Sequence, residues 1–600
     1  MRRETAFPGR AVRSDALSLP LSVWAVQSIV LLLTCLAATG CAAAPAPVTS
    51  PAGRPDCSRA GSVDEAFQCA RQDPNALRAF LLAMPKGGDL HNHLTGAIYP
   101  EVLLQLASYG GLGVDMSPDA SGTPKFAFKA ASTPGSGQPD MTALTADCLA
   151  CPTSQSPETC TGTGVIPACC LCSSGALYDG AVNALSMRGL PWGTLQAHDH
   201  FFAIFGKLGP VTSNRTALLA QLRQQASREN VLYLETMSSA PLPPANDPAL
   251  VAFQSLFAGG SSSPGAAFCA QLMADGFGTP DENGQKVIAA VRALAAEVAR
   301  TMAQQIVDSS QLLGCGSAPG AFSPSGPPGC EVTVRHQIET HRTAPPLVIC
   351  QEALVGFAAS EADRQHVVGV NIVAAEDAYV SRIDYSKHMN LIGHLGTLFR
   401  PAGRALHAGE LIEGLVPPND LRFHIHDAVA VAHAQRIGHG VDITYETGSG
   451  EILKKMAEEP VAVEINLVSN AQLLGVAGDA HPLPLYVERH VPVVLATDDP
   501  GIMRTTLTEQ YRLAALDYPR FRYADLRTFN RNSLEYSFLT GSSIWEDPGH
   551  YERPIADCRA SGGGLDLSRC EAWVKGHGDK AQAQVRLEQR LREFEAGYRR

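Results

Sequence analysis

The sequence predicts an α/β protein built on a parallel (β/α)8 barrel of the TIM type, and two observations support this fold. Short apolar segments with the character of strands alternate with longer stretches of helical periodicity. Such alternation is typical of a parallel sheet, whose strands are joined by crossover helices. Functional-looking polar residues stand where the predicted strands end, as on the active face of such a barrel. A Rossmann-type sheet is the alternative, but no convincing glycine fingerprint follows a strand.

The strand candidates begin with an apolar-leading run that ends in His91 and His93. The later candidates are Val231–Glu235, Val332–Ile338, Val367–Val373, Arg404–His407, Arg436–His439, Val461–Ile465 and Val493–Thr497. A helix is predicted at Gly284–Val307, because its valine, isoleucine and leucine residues recur on one stripe. A second predicted helix places Phe201, Phe202 and Phe205 on a face that covers the active-site pocket.

The composition limits the classes of protein to which this chain can belong. The chain has 600 residues, enough for one large enzyme domain with insertions. Apolar residues make up 45% and charged residues 18%, which indicates a globular protein. The formal net charge is −12, and no lysine- and arginine-rich run stands out in the body of the chain. This argues against a nucleic acid partner, whose binding requires a basic patch.

The N-terminus has the features of an export signal. A segment with four arginines precedes the apolar stretch Val23–Ala38, which is short for a membrane span. The sequence Ala-Thr-Gly-Cys at 38–41 resembles a bacterial lipobox, so Cys41 is the predicted lipidation site. This predicts a protein anchored in the bacterial cell envelope by its N-terminal lipid. The alternatives are an ordinary cleaved signal and an uncleaved anchor.

These features divide the chain into four predicted segments. They are a signal peptide at 1–40, a tether with a short N-terminal element at 41–75, the barrel at 76–545 with a cysteine-rich insertion at about 115–180, and a helical extension at 546–600.

The number and spacing of the cysteines agree with an exported protein. Of 16 cysteines, Cys35 lies in the signal and Cys41 at the lipobox, which leaves an even number for disulfides. Three local pairs are expected: Cys57–Cys69, Cys315–Cys330 and Cys558–Cys570. In the insertion, Cys148-x-x-Cys151 and Cys169-x-x-Cys172 also fit a zinc-ribbon spacing, but disulfides are favoured in an exported chain.

Four residues at predicted strand ends have the chemistry of a catalytic zinc site. His91 and His93 are two residues apart, so both imidazoles point to the same face of one strand. His407 and Asp498 each stand at the end of a later strand. Three imidazoles and one carboxylate match the ligands of a zinc ion that keeps an open position for water.

Three further polar residues stand beside these predicted ligands. Glu410 lies three residues after His407, close enough to donate a proton at the same centre. His439 is flanked by two glycines and is suited to accept a proton from a bound water. Asp499 follows a predicted ligand and is expected to point towards a hydrogen-bonding group of the substrate.

The chain resembles the adenosine deaminase family of the amidohydrolase superfamily. The resemblance rests on PKGGDLHNHLTGA, LHAGE, RIGHGVDI, EINLVSN and VPVVLATDDPGIM, which occur in the family's order over roughly residues 80–540. The segment VNIVAAED, together with the export signal, resembles the secreted growth-factor-type branch. The resemblance implies a metal-dependent hydrolase that deaminates adenosine or a related 6-aminopurine.

The resemblance also implies residue roles. One zinc ion per chain would be held by His91, His93, His407 and Asp498. His439 would orient and deprotonate the attacking water, Glu410 would protonate purine N1, and Asp499 would hydrogen-bond N7. Attack at C6 would release ammonia and leave inosine.

Two departures from the family pattern concern the substrate. Thr95 stands where the family often has an acidic residue that contacts the ribose. Ala374 stands where the family has a glycine whose N–H contacts the purine, and its methyl group is expected to crowd the base. The alternatives are therefore an amidohydrolase acting on another purine or a modified adenine, and a non-catalytic nucleoside-binding lipoprotein.

Overall fold

A computed structural model describes residues 57, 60–120, 122–130, 160, 164–316, 326–399 and 402–598. By internal contacts the chain divides into Met1–Arg54 and Pro55–Arg600, and all described residues lie in the second unit. The predicted signal peptide, the lipidation site Cys41 and the first cysteine pair of the insertion lie outside the described residues.

Eight parallel strands form the central sheet. In chain order the strands of the protein are β1 Lys86–His93, β2 Gly113–Asp115, β3 Ala127–Lys129, β4 Val165–Pro167, β5 Val231–Ser238, β6 Thr333–His341, β7 Val367–Val373, β8 Gly403–Ala408, β9 Arg436–His439, β10 Ala462–Ile465 and β11 Val493–Leu495. The central sheet has the order β1-β5-β6-β7-β8-β9-β10-β11, and every pair of neighbours is parallel.

The chain after β11 returns to β1 and brings the two edges of the sheet together. The Asp498 N–H donates to the His91 carbonyl at 2.8 Å, and the His93 N–H donates to the Asp498 carbonyl at 2.9 Å. The predicted (β/α)8 barrel is therefore confirmed. Strands β5 and β7 are buried along their whole length, because helices cover the outside of the barrel while side chains fill its interior.

The described helices surround the barrel and extend beyond it. They are α1 Val63–Ala70, α2 Pro74–Ala83, α3 Pro100–Tyr109, α4 Gly175–Ala184, α5 Leu195–Thr212, α6 Arg215–Arg228, α7 Pro248–Ser255, α8 Pro264–Met273, α9 Glu282–Leu312, α10 Pro346–Ala362, α11 Tyr379–Ile383, α12 Tyr385–Leu398, α13 His424–Ala430, α14 Ser449–Glu458, α15 Leu467–Leu474, α16 Leu483–Glu488, α17 Pro500–Met503, α18 Leu507–Asp517, α19 Tyr523–Glu535, α20 Leu567–Val574 and α21 Gly578–Ala596. Within these ranges, no helix is both long and apolar enough to cross a membrane.

The predicted helix at Gly284–Val307 is part of the longer helix α9. It begins after Asp281, whose carboxylate accepts a hydrogen bond from the Gly284 N–H at 2.7 Å and so caps the first turn. Val287, Val291 and the other members of its apolar stripe are buried, as the periodicity predicted.

The described cysteines form disulfides, including the three local pairs expected from the sequence. The bonds are Cys57–Cys69, Cys160–Cys170, Cys269–Cys350, Cys315–Cys330 and Cys558–Cys570. Cys169 and Cys172 are also disulfide-bonded, which confirms disulfides over a zinc ribbon for this pair. In the same insertion, β2 pairs with both β3 and β4 in a small antiparallel sheet that the sequence did not predict.

The C-terminal extension packs against the barrel through helix α21. The Arg531 guanidinium of α19 makes two hydrogen bonds to the Glu588 carboxylate of α21, at 2.7 and 2.8 Å. Paired bonds of this kind fix the relative position of the two helices.

Candidate metal centre and active site

The predicted metal ligands converge at the carboxyl-terminal ends of the strands. His91, His407, His439 and Asp498 each offer one ligand atom, and these atoms lie within 4.8 Å of one another. His93 Nε2 lies 3.3 Å from His407 Nε2 and 3.5 Å from Asp498 Oδ1. The structure therefore brings the four predicted ligands and His439 around one point, although they lie on four separate parts of the chain.

Each of the three predicted imidazole ligands is held through its Nδ1 by a side-chain oxygen of another strand. The pairs are His91–Glu464 at 2.7 Å, His93–Glu339 at 3.1 Å and His407–Asn371 at 2.8 Å. Because these oxygens accept, each Nδ1 carries the proton and each Nε2 keeps its lone pair for a metal. The buried His91 Nε2 has no hydrogen-bond partner among the described residues. Three imidazoles and one carboxylate in this arrangement fit a zinc ion.

Glu410 is buried next to this cluster. Burial raises its pKa well above the usual range, and the negative charges of Asp498 and Glu376 raise it further. Its Oε1 lies 3.5 Å from His439 Nδ1. A carboxyl group whose pKa is raised in this way keeps its proton more readily and can donate it to a bound substrate.

The position of Glu410 depends on Glu376, whose carboxylate accepts hydrogen bonds from the Glu410 N–H at 2.8 Å and the Gly409 N–H at 3.0 Å. His424 Nδ1 lies 2.6 Å from the same carboxylate. Burial alone would raise the pKa of Glu376, but the His424 hydrogen bond and the charge of Arg342 outweigh it and lower the pKa to about 2. An ionised Glu376 thus fixes the backbone beneath Glu410 and adds negative charge beside it.

A series of hydrogen bonds determines the tautomer of His439. The Leu483 N–H donates to His481 Nδ1 at 3.0 Å, so the neutral His481 ring has its proton on Nε2 and donates to Asn470 Oδ1 at 3.0 Å. The Asn470 amide then donates to His439 Nδ1 at 2.9 Å. Neutral His439 therefore carries its proton on Nε2, and burial lowers its pKa to about 3.

This tautomer refines the role expected for His439. The sequence suggested that the ring accepts a proton from water, but the Nε2–H can only donate a hydrogen bond. His439 is thus set to orient an oxygen, and accepting a proton would require Asn470 and His481 to reverse their hydrogen bonds. Nε2 is buried and has no described partner, so a ligand can take up this donor.

Asp499 lies next to the cluster with one carboxyl oxygen unpartnered. Its Oδ1 is buried without a hydrogen bond to any described residue. Burial raises its pKa well above the usual range, and the charge of Asp498 raises it further, so Asp499 can be a donor. Gly96 is required beside it, because a Cβ at that position would collide with the Asp499 carboxylate.

A cavity of about 420 Å³ opens onto these groups, a size that suits a small-molecule ligand. Phe201, Phe202 and Phe205 of α5 line it, which confirms that this helix covers the pocket. Thr95, Ala374 and Asp499, the three predicted substrate contacts, also line the cavity.

Ala374 adopts a backbone conformation that favours glycine. Its φ is +78°, where the Cβ of an alanine is strained by about 1–2 kcal/mol. We expect Ala374→Gly to raise the free energy of unfolding by about 0.5–1 kcal/mol, because relief of strain exceeds the added entropy of glycine in the unfolded chain. Thermal or urea unfolding measures this change.

The neighbouring Ala375 provides the control, since it also lines the cavity but has no positive φ. Ala375→Gly should lower the free energy of unfolding by about 0.5–1 kcal/mol. A loss of stability of the same size in Ala374→Gly would refute strain at position 374.

Several residues of the site were not assigned a role from the sequence. They are Glu339, Asn371, Glu376, Glu464, Asn470 and His481. Two of them, Asn371 and Glu464, could have been found from the sequence. Each is a single charged or amide residue inside an otherwise apolar strand, and a buried polar side chain needs a partner. Asn371 in VVGVNIV and Glu464 in VAVEIN have this pattern.

Comparison with known proteins identifies relatives of this chain. Residues 321–543 match the family model described as Adenosine deaminase. An adenine deaminase from Rhizobium leguminosarum bv. trifolii is 29% identical over 31% of this chain and 54% of its own length. An adenosine deaminase from Clostridium kluyveri is 30% identical over 25% of this chain and 40% of its own length. The chain thus spans about half the length of the curated relatives it matches.

Among solved structures, an adenine deaminase from Arthrobacter aurescens aligns with 76% of this chain and 94% of its own. The sequence identity is 16% and the TM-score 0.38.

Proposed function

We propose that this chain, whose residues 321–543 match the adenosine deaminase family model, is a zinc-dependent hydrolase that deaminates adenosine to inosine and ammonia. The observation that carries this proposal is the position of Glu410, a buried carboxyl with a raised pKa, beside a cluster of three imidazoles and Asp498. The candidate proton donor and the candidate metal ligands therefore lie around the same small volume, which supports the proposal.

In the proposed reaction, His91, His93, His407 and Asp498 would hold the zinc ion, which would supply a water of lowered pKa as the source of the attacking oxygen. The remaining steps belong to side chains of the cavity. Glu410 donates a proton to purine N1, which makes C6 open to attack, and Asp499 donates a hydrogen bond to N7. The proton lost from the attacking water returns to Glu410. When the C6–N bond breaks, the proton of the new C6 hydroxyl passes to the amino group, which leaves as ammonia. His439 orients the attacking oxygen through its Nε2–H.

A nucleoside suits the cavity better than a nucleotide. Ser239, His341 and Thr343 line it and offer hydroxyl and imidazole groups that can hydrogen-bond a sugar. The described lining includes neither lysine nor arginine, and Glu339 contributes a carboxylate to it. A phosphate ester would therefore meet like charge without a cationic side chain. Adenine is the second candidate, because the Rhizobium relative is an adenine deaminase.

We also propose that the enzyme works outside the cytoplasm, as a lipoprotein of the bacterial cell envelope. The support is the predicted lipobox at Cys41 and the disulfides of the described chain, which persist in oxidising compartments.

The proposal predicts a substrate order that a panel can measure. Purified zinc-loaded protein should convert adenosine to inosine, seen as the loss of adenosine absorbance and the release of ammonia. The kcat/KM should be highest for adenosine, lower for adenine and lowest for AMP. No change with any aminopurine would refute deamination, and a preference for AMP would refute the argument from charge.

A further inference from the structure

The barrel carries another cavity, of about 630 Å³, at the end opposite to the candidate active site. Its walls include Gly403 and Arg404 at the start of β8, Gln435 directly before β9, and Pro460 just before β10. The predicted metal ligands instead lie at the carboxyl-terminal ends of the strands. The two cavities are therefore distinct.

Most of the charged side chains that line this second cavity are cationic. Arg364, Arg404 and Lys580 contribute to it, together with His433. Glu535 is the single carboxylate among the described residues of the lining. The cavity therefore holds an excess of positive charge in a protein whose formal net charge is −12.

The Glu535 carboxylate is hydrogen-bonded to neutral side chains and forms no ion pair with a described cation of the lining, so its single charge offsets only part of the positive charge there. Its Oε2 accepts hydrogen bonds from Ser543 Oγ at 2.6 Å and from Gln584 Nε2 at 2.7 Å. Lys580 Nζ donates to the backbone carbonyl of Glu535 at 2.5 Å, which leaves its other hydrogens for a ligand.

The two arginines lack partners in the described part of the chain. The Nε atoms of Arg364 and Arg404 are buried and make no hydrogen bond there. Neither guanidinium forms an ion pair with a described carboxylate. Both arginines are only part-buried and line the cavity without a described carboxylate partner, so their positive charge suits the cavity to an anion.

Mutual repulsion within the cluster supports the same conclusion. Burial lowers the pKa of Lys580, and the charges of Arg436 and Arg364 lower it further. The charges of Glu535 and Glu235 act in the opposite direction. Burial also lowers the pKa of His433, and the charge of Arg404 lowers it further. A bound anion would relieve both repulsions.

Arg436 lies behind the cavity wall and is not available to a ligand. Its guanidinium donates to Glu464 at 2.5 Å and to Glu235 at 2.6 Å, and it lies 3.8 Å from the centre of the Phe538 ring, which lines the cavity. The unpaired cations are thus Arg364 and Arg404, with Lys580 beside them.

We propose that this cavity is a binding site for a small phosphorylated anion, such as pyrophosphate or a nucleoside diphosphate. The guanidinium groups of Arg364 and Arg404 can each donate paired hydrogen bonds to phosphate oxygens. Lys580 adds a point charge, and the volume accommodates a ligand of this size. The site is independent of the catalytic activity proposed above.

Isothermal titration calorimetry of the zinc-loaded full chain tests the site, with pyrophosphate and ADP as separate probes. Wild type should bind at least one of them, and Arg364→Gln and Arg404→Gln should each weaken binding by about tenfold or more. Arg569→Gln is the matched control, because Arg569 is exposed and outside the cavity. Equal affinities for the two probes indicate recognition of phosphate alone, and tighter binding of ADP indicates an organic phosphate.

His407→Ala separates this site from the metal centre, since pyrophosphate also binds zinc. Binding should persist in this variant and should be lost in the arginine variants. Circular dichroism and thermal unfolding check that each variant is folded. If an arginine variant does not fold, Lys580→Gln is tested in its place. Absence of binding by both probes, unchanged affinity in the arginine variants, or loss of binding in His407→Ala would each overturn the proposal.

Discussion

Replacing Glu410 with glutamine will lower kcat/KM for adenosine by about 10²–10⁴-fold, the usual contribution of a positioned general acid. Glutamine keeps the size of the side chain and its hydrogen-bonding capacity but cannot transfer a proton to purine N1. The backbone N–H of residue 410 still donates to Glu376, so the local structure should be retained. Steady-state kinetics measures the loss, and metal analysis should find the zinc content unchanged.

Glu413→Gln is the matched control for this variant. Glu413 lies three residues further along the same segment and is exposed, so the same chemical change should leave kcat/KM within about twofold of wild type. Near-normal turnover in Glu410→Gln would contradict the assigned role of Glu410.

His407→Ala and His439→Ala will separate metal binding from orientation of the attacking oxygen. Without His407 the zinc site loses an imidazole that is fixed by Asn371, so the protein should lose both bound zinc and measurable turnover. His439→Ala should keep one zinc per chain while turnover falls by about 10²–10³-fold, because one oriented hydrogen-bond donor is removed.

A third substitution tests the tautomer of His439. In His439→Gln the side-chain amide can replace the Nε2–H as a donor, so turnover should exceed that of His439→Ala. Metal analysis by mass spectrometry and kinetics on the same samples distinguish the roles. Loss of zinc in His439→Ala would make this residue a ligand, and retention of zinc in His407→Ala would remove that residue from the metal site.

The sequence was sufficient to predict the barrel and the residues of its active face. Strand–helix alternation indicates a parallel sheet, and the ends of its strands meet on one face, so His91, His407 and Asp498 could be grouped before their positions were known. The covering role of Phe201 could also be predicted, because aromatic residues recurred on one face of a helix.

The partners of these residues could not be predicted, because they depend on side-chain directions across the barrel. Glu464 holds His91 although 373 residues separate them. Arg436 pairs with Glu464 and with Glu235 on the far side of the barrel, and its place in the RIGHG segment gives no sign of this. Local sequence determines where strands and helix caps form. Contacts between side chains that are hundreds of residues apart depend instead on how the closed sheet brings its strands together.

The positive φ of Ala374 and the basic cavity at the amino-terminal ends of the barrel strands could not be predicted from the sequence either. Alanine gives no local signal of a left-handed conformation, so the strain became apparent only from the backbone. Its basic side chains are Arg364 and His433 from two loops, Arg404 from the start of β8, and Lys580 from α21.

Stepwise addition of zinc to chelator-treated protein, with inosine and ammonia measured at each step, tests the central claim most directly. We expect chelator-treated protein to be inactive towards adenosine. Activity should then rise with added zinc to a plateau at one zinc per chain, with one ammonia released for each inosine formed. Turnover that is independent of zinc, or no inosine at any zinc content, would contradict the assignment of this site as a zinc-dependent adenosine deaminase.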